Sequence, residues 1–264
     1  MKQFVLPSDY AGEDELTLTG EDFHYLRRVR RVAEGESFPG RGRDGTPYRL
    51  TVISAIEGAL RVRVSQSSDP PRGSSELSIT LYQCLAKGKK FDEIVRRTTE
   101  AGVERIVPVA SARAVKRFDD HARAERRLER WRRIAEEAVQ QSGRESITSV
   151  EPVCELSEIP PIDSPSDAQD DVPRGESRGF VCSEKALAEH SFGRYLKSGL
   201  RRVALVIGPE GGLTEQEVSS LVHRGFHVVS LGPNVLRTET AAVYGVAAVQ
   251  SVYRELLSWM QEQA

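Results

Sequence analysis

VALVIGPEGG, Val203 to Gly212, is an apolar run that stops in glycines, and a helix start follows at Thr214. A strand ending this way exposes bare backbone N–H and C=O groups, so main chain alone can grip a small polar ligand. A second break of the same kind, LGPNVLRTETA at 231–241, follows the apolar run His227 to Leu231 and precedes a long helix. Two such breaks predict one site built from loops at the carboxyl ends of neighbouring strands.

Between the two breaks, Thr214 and Glu217 have the spacing of a capping box for a helix ending at Gly225. After Arg237, with Thr238 as a good N-cap, the last helix repeats Ala242, Val246, Val249, Tyr253, Leu256 and Met260 at steps of four and three. That stripe must face the sheet or another copy of the chain. Upstream, LSITLYQCL (77–85) and RIVPVA (105–110) read as strands. Between them lies a helix with Phe91, Ile94, Val95 and Thr98 on one face and Gly102 as its stop, and a long polar helix covers 122–142. The alternation predicts an α/β fold. Residues 155–177, rich in Pro, Ser and Asp without periodicity, read as a poorly ordered acidic insertion.

The first 70 residues differ. ALRVRV alternates Leu60, Val62 and Val64 with Arg61 and Arg63, and Asp44-Gly45 and Glu57-Gly58 are turn signals, which together predict a small β domain. One helix, from about Asp22 to Val32, sets His24, Arg27, Arg28 and Arg31 on a single cationic face, with Phe23, Leu26 and Val29 opposite. The linker is read at Asp69 to Ser74, giving domains 1–72 and 73–264.

The composition, 39% hydrophobic and 29% charged, is that of a globular chain, and no apolar run approaches the roughly 18 residues of a membrane span. The first residues lack signal-peptide character, and Cys84, Cys154 and Cys182 have neither metal nor redox spacing, so a cytoplasmic location is expected. His223 and His227 straddle Gly225, a poor arrangement for a shared metal, and no metal is expected. The net charge of −2 averages opposed regions. Residues 113–133 hold nine Lys/Arg against four Asp/Glu, whereas 155–176 hold seven acids against one Arg.

IGPEGG ahead of a capped helix, then LG-x5-RTETA opening the last helix, resemble the SPOUT RNA methyltransferases. FHYLRRVRR, KGKKFDEIVRRTTEAGVERIVPV and WRRIAEEAVQQSGR extend the likeness over nearly the whole chain, toward the uridine-N3 branch, RsmE. Family members often carry Met at Phe91, Ala-Ala at Ala138-Val139 and Cys at Ser142. The resemblance implies a C-terminal trefoil-knot domain with a parallel sheet and a small N-terminal PUA/OB-like β-barrel. It further implies methylation of N3 of a uridine in 16S rRNA of the small ribosomal subunit (uridine 1498 in the family), and a site completed across a homodimer.

The cofactor it implies is S-adenosylmethionine, held by Leu85, Ile207, Gly208, Glu210, Gly211, Gly212, Leu231, Gly232, Leu236, Thr238 and Ala241. Methylating N3 requires loss of the imide proton. Arg237 and the dipole of the helix behind it can stabilise the anion, and Glu210 and Glu239 can orient Arg237 or accept the proton. His24, Arg27, Arg28, Arg31, Arg41, Arg43, Lys87, Lys89, Lys90, Arg113, Lys116 and Arg117 are candidates for an RNA phosphate track. The arginines from 123 to 133, interleaved with glutamates, read as a solvated face. A SPOUT enzyme acting on a ribose 2′-oxygen or another base would share these loops, and a non-catalytic RNA-binding assembly factor would share only the basic surfaces.

Overall fold

The structure is a computed structural model and describes residues 3–7, 9–56, 58–67, 77–114, 121–144, 146–162, 176–183 and 191–262. Contacts divide it into two units, residues 1–74 with 139–147 and residues 75–138 with 148–264. The linker at Asp69 to Ser74 lies outside the described residues.

The first unit is a curled five-stranded sheet. Its strands are β1 (Phe4–Val5), β2 (Glu15–Thr19), β3 (Ser37–Arg41), β4 (Pro47–Ile56) and β5 (Ala59–Gln66), in the order β1-β3-β4-β5-β2. Among the described residues of this sheet, only the β1–β3 pairing is parallel. On β5, Leu60, Val62 and Val64 are buried and Arg61 and Arg63 are exposed, as the period of two demands. Asp44-Gly45 forms the β3–β4 turn, with Gly45 at φ +86° and the Asp44 carboxylate accepting from Thr46.

The helix expected over 22–32 is shorter and less regular. α1 covers Gly20–His24, a π-helical turn covers Tyr25–Val29, and Arg31 sits at φ +57°. The wider turn changes the angular step, so the 3.6-residue spacing behind the cationic face does not hold. Leu26 is fully buried and Phe23 packs on the same core; His24, Arg27, Arg28 and Arg31 are exposed.

The second unit is a parallel sheet of β6 (Ser78–Cys84), β7 (Arg105–Ala110), β8 (Ser149–Val150), β9 (Cys154–Glu155), β10 (Glu176–Cys182), β11 (Leu200–Ile207) and β12 (Phe226–Val229). The order is β12-β10-β11-β6-β7-β8, with β9 also on β7. Its helices are α2 (Lys90–Glu100), α3 (His121–Ser142, ending among residues grouped with the first unit), α4 (Glu215–His223) and α5 (Thr238–Glu262). The strand order reverses between β11 and β6, the place where a crevice opens at the carboxyl ends of an α/β sheet.

One core cluster joins the sheet to α2, α3 and α5 and contains Ile79, Leu81, Phe91, Trp131, Leu205, Val246 and Val249. The α5 stripe is therefore spent on its own sheet. Ala242, Val246, Val249 and Tyr253 are buried there and Leu256 packs beside them, while the Met260 side chain lies outside the described residues. Gly245 makes the close approach possible, since a Cβ there would meet Leu205 at 3.1 Å.

Two readings of the sequence need correction. Strand β10, an interior strand between β11 and the edge strand β12, was not anticipated. Residues 155–162, expected in the poorly ordered insertion, are folded: Leu156 and Ile159 are buried, and Arg224 donates to both of their carbonyls. A Glu155–Glu158 capping box closes the turn between them. Two apolar anchors outweigh the polar composition around them. Residues 163–175 lie outside the described residues.

Candidate active site

At the carboxyl ends of β10, β11 and β12 a cleft of about 380 Å³ opens, a volume ordinary for a small-molecule site. Ile207, Gly208, Glu210, Gly212, Leu231, Gly232, Leu236, Arg237, Thr238 and Ala241 line it, so most of the expected cofactor residues meet in one place. Leu85 does not line it; it is buried, with its N–H on the Val109 carbonyl. Gly211 stands just outside, its carbonyl accepting from Arg113 Nη1 at 2.9 Å.

The first loop is held by polar contacts at nearly every residue. The Thr238 hydroxyl donates to the Gly208 carbonyl at 2.7 Å and accepts from Gln83 Nε2 at 3.0 Å. Gln83 is fully buried, and Thr238 nearly so. Thr238 thus does not cap α5, as had been expected; its hydroxyl ties α5 to the ends of β6 and β11. A Cβ at Gly208 would come within 3.3 Å of Leu213, and Gly212 holds φ +66°, so this turn needs glycine at both points. The capping box is formed, with Thr214 N–H on Glu217 Oε2 at 2.7 Å and Glu217 N–H on Thr214 Oγ1 at 3.2 Å. Glu217 Oε1 also accepts from the Ala112 N–H.

The second loop is anchored lightly. The Ser230 hydroxyl exchanges hydrogen bonds with the backbone of Gly232, itself at φ +113°, and Asn234, Val235 and Arg237 are exposed along the cleft.

The charges differ from the expected pairing. Lys90 Nζ lies 3.1 Å from Glu210 Oε1 and 3.7 Å from Glu239 Oε2. The second distance is an ion pair but too long for a hydrogen bond, and that buried Glu239 oxygen has no hydrogen-bond partner among the described residues. Glu210 Oε1 also accepts the Lys87 N–H at 3.1 Å. Burial pushes the Glu210 carboxyl up, but hydrogen bonds from its own and the Lys87 backbone, and the Lys90 ammonium, leave it below its usual value. No ion pair joins Arg237 to Glu210 or Glu239 among the described residues, so neither carboxylate orients Arg237 here.

The expected phosphate track is divided. Lys90 and Arg113 belong to the cleft; Lys87 and Lys89 are exposed beside it. In the first unit Arg41 is buried, donating to Gln3 and to the Gly45 carbonyl, which makes it part of the interior. Arg27 donates to the Val32 carbonyl from an otherwise exposed position, and Arg43 is exposed. Lys116 and Arg117 lie outside the described residues.

Sequence reasoning missed Cys182 and Ser183, which line the cleft from the end of β10. It also missed Gln83, whose signal was available: a glutamine in the middle of an apolar strand. Burial raises all three thiols, Cys84 to about 12 and Cys154 to about 11, so none is a thiolate at neutral pH. His223 bonds the Ser219 carbonyl and His227 stacks on Tyr195, and no group of metal-ligating side chains is found among the described residues.

Residues 73–250 match the model of the RNA methyltransferase domain family. A Bacillus subtilis protein named ribosomal RNA small subunit methyltransferase E is 31% identical over 248 residues, covering 91% of each chain. A Neisseria gonorrhoeae protein of the same name, solved with bound S-adenosyl methionine, is 27% identical with a TM-score of 0.79, over 96% of this chain and 98% of that one. A Legionella pneumophila protein solved with the same cofactor is 25% identical with a TM-score of 0.79, over 94% and 96%.

Proposed function

The chain belongs to the RNA methyltransferase family, in the RsmE branch, and from that premise we propose that it methylates N3 of a uridine in the 16S rRNA of the small ribosomal subunit. Its cofactor is S-adenosylmethionine. The cleft suits that molecule: Gly208 and Gly212 bring backbone without side chains to the lining, and Ile207, Leu231, Leu236 and Ala241 form apolar walls. When bound, the cofactor supplies an electrophilic methyl group beside a sulfonium charge.

The observation that carries the reading is Arg237. Its guanidinium is exposed on the cleft lining, at the positive end of α5, without an ion pair among the described residues. A free planar cation there stabilises negative charge on the uracil oxygens as N3 loses its proton. Glu210, held ionised on the same lining, is occupied by Lys90 and the Lys87 N–H, so the imide proton passes to solvent at the open side of the cleft.

The fold is read as the SPOUT knot. What supports this is that β12 lies at the sheet edge, yet Thr238, soon after it, bonds to Gly208 just beyond β11 and to Gln83 of β6, so the chain returns toward the middle of the sheet. The curled first unit is read as the PUA/OB-like RNA-binding module, with Arg27, Arg28 and Arg31 meeting phosphates and Lys87 and Lys89 doing so beside the cleft. A homodimer rests on the resemblance, since the α5 stripe is buried at home. The outer face of α5, with Tyr244 52% and Trp259 69% exposed, is what a second copy would cover. A cytoplasmic setting suits its three free cysteines.

Purified protein, small subunits and methyl-labelled cofactor test the reading, followed by nucleoside analysis by mass spectrometry. Label in 3-methyluridine is expected. Label in a 2′-O-methyl nucleoside or another base would establish the alternative SPOUT reaction, and absence of both binding and transfer the assembly factor.

A further inference from the structure

Lys90 is out of place electrostatically. It is the first residue of α2, at the positive end of the helix dipole, where a cation is disfavoured. The cost is offset by two carboxylates from separate segments, Glu210 in the first loop and Glu239 at the start of α5. Glu210 and Arg237 line the same cleft, and Glu239 follows Arg237 by two residues. Yet both acids are turned to Lys90, and Arg237 makes no ion pair among the described residues.

We propose that Lys90 is a positioning residue for methyl transfer: by holding Glu210 and Glu239 it keeps both carboxylates off Arg237 and leaves that guanidinium facing the acceptor base. Two acids and one flexible arginine in a partly desolvated cleft would otherwise pair, since bidentate contact between guanidinium and carboxylate is the stronger interaction. A captured Arg237 would have its charge neutralised before the uracil arrives. With Lys90 present the four charges balance, and the one that faces the acceptor is positive. The inference rests on the methyl-transfer reading and adds to it the reason Arg237 is free.

The test uses full-length protein and small subunits, with Lys90→Met, Lys90→Arg and the double variant Lys90→Met with Glu210→Gln. Single-turnover methylation by Lys90→Met should fall about 100-fold, the usual loss when one preorganised donor is removed. Its affinity for S-adenosylmethionine by calorimetry should fall by no more than about tenfold, the loss of one tie of the first loop, and rates are compared at saturating cofactor. The double variant should recover at least about tenfold of the lost rate, as one of the two carboxylates free to capture Arg237 is gone, and Lys90→Arg should stay within about tenfold of wild type. A role in folding alone would make rate and melting temperature fall and recover together, whereas a positioning role changes the rate of a protein whose melting temperature is unaltered.

Arginine side-chain NMR supplies a readout without turnover. The Arg237 Nε–H signal, assigned by its loss in Arg237→Ala, should exchange with water more slowly in Lys90→Met than in wild type. Thermal unfolding checks each variant, and Lys90→Gln replaces Lys90→Met if the latter is unfolded. An unchanged rate in Lys90→Met, no rescue in the double variant, or an Arg237 signal indifferent to Lys90 would each overturn the proposal. Rates are compared on whichever nucleoside the wild type methylates, so an error about the base would show in the wild-type product and leave this comparison intact.

Discussion

The two glycine-bearing loops of the cleft look alike in sequence and differ in how they are held. In the first, Gly208 bonds to Thr238, Glu210 to Lys87 and Lys90, Gly211 to Arg113, and Gly212 to Pro209. In the second, the local bonds between Ser230 and Gly232 precede a stretch where Val235 is 75% exposed. A loop fixed from many sides presents backbone groups without paying ordering entropy when a ligand arrives. A loop tied only at its ends can adapt its outer side chains to a large partner. On the proposed function, the first loop fixes the cofactor, with apolar walls lent by the second, and the exposed residues of the second loop meet the acceptor.

The strongest way to break that division is Gly212→Val. A branched side chain at φ +66° is strained, and the loop must move. Calorimetry should show S-adenosylmethionine affinity reduced more than about 100-fold, against less than about threefold for Val235→Ala on the other loop. Equal losses would erase the contrast. Reversal of Arg27 and Arg28 to Glu should weaken binding to small subunits by at least about tenfold and lower its salt dependence, with cofactor affinity untouched. Unchanged subunit binding would make that face solvated surface.

Thr238→Val sharpens the comparison. It leaves the Gly208 carbonyl and the Gln83 amide without the hydroxyl between them, at about 1–3 kcal/mol, so cofactor affinity should fall on the order of tenfold as the first loop loosens. The smallest effect concerns acid. The folded-state pKa of Glu210 is depressed, so its stabilising contribution is present above the ordinary carboxylate pKa and is lost as pH falls through the folded value. The melting temperature of wild type should therefore exceed that of Glu210→Gln at neutral pH and converge with it on acidification; a constant gap would mean the carboxylate's charge is not involved.

Much of this was legible in the residues. Glycines after apolar runs, the Thr214–Glu217 spacing and the α5 stripe are local signals, and local physics decides them. What stayed hidden depends on partners distant in sequence. Thr238 reads as an N-cap until Gly208 and Gln83 come to it from two other strands. Lys90 reads as one more surface cation until two carboxylates arrive from over a hundred residues away. β10 was obscured by the acidic residues before it, although Phe180 and Val181 are fully buried. At Arg31, a left-handed backbone after a π-helical turn ended a helix that periodicity would have continued.

If the first loop fixes the cofactor and Arg237 of the second acts on the acceptor, Arg237→Ala separates the two roles. Cofactor affinity is measured by calorimetry, and single-turnover methylation of small subunits is followed at saturating S-adenosylmethionine. The expected result is affinity within about threefold of wild type with the chemical step slowed about 100-fold or more. A rate that recovers fully at saturating cofactor would make Arg237 a binding residue and contradict the division.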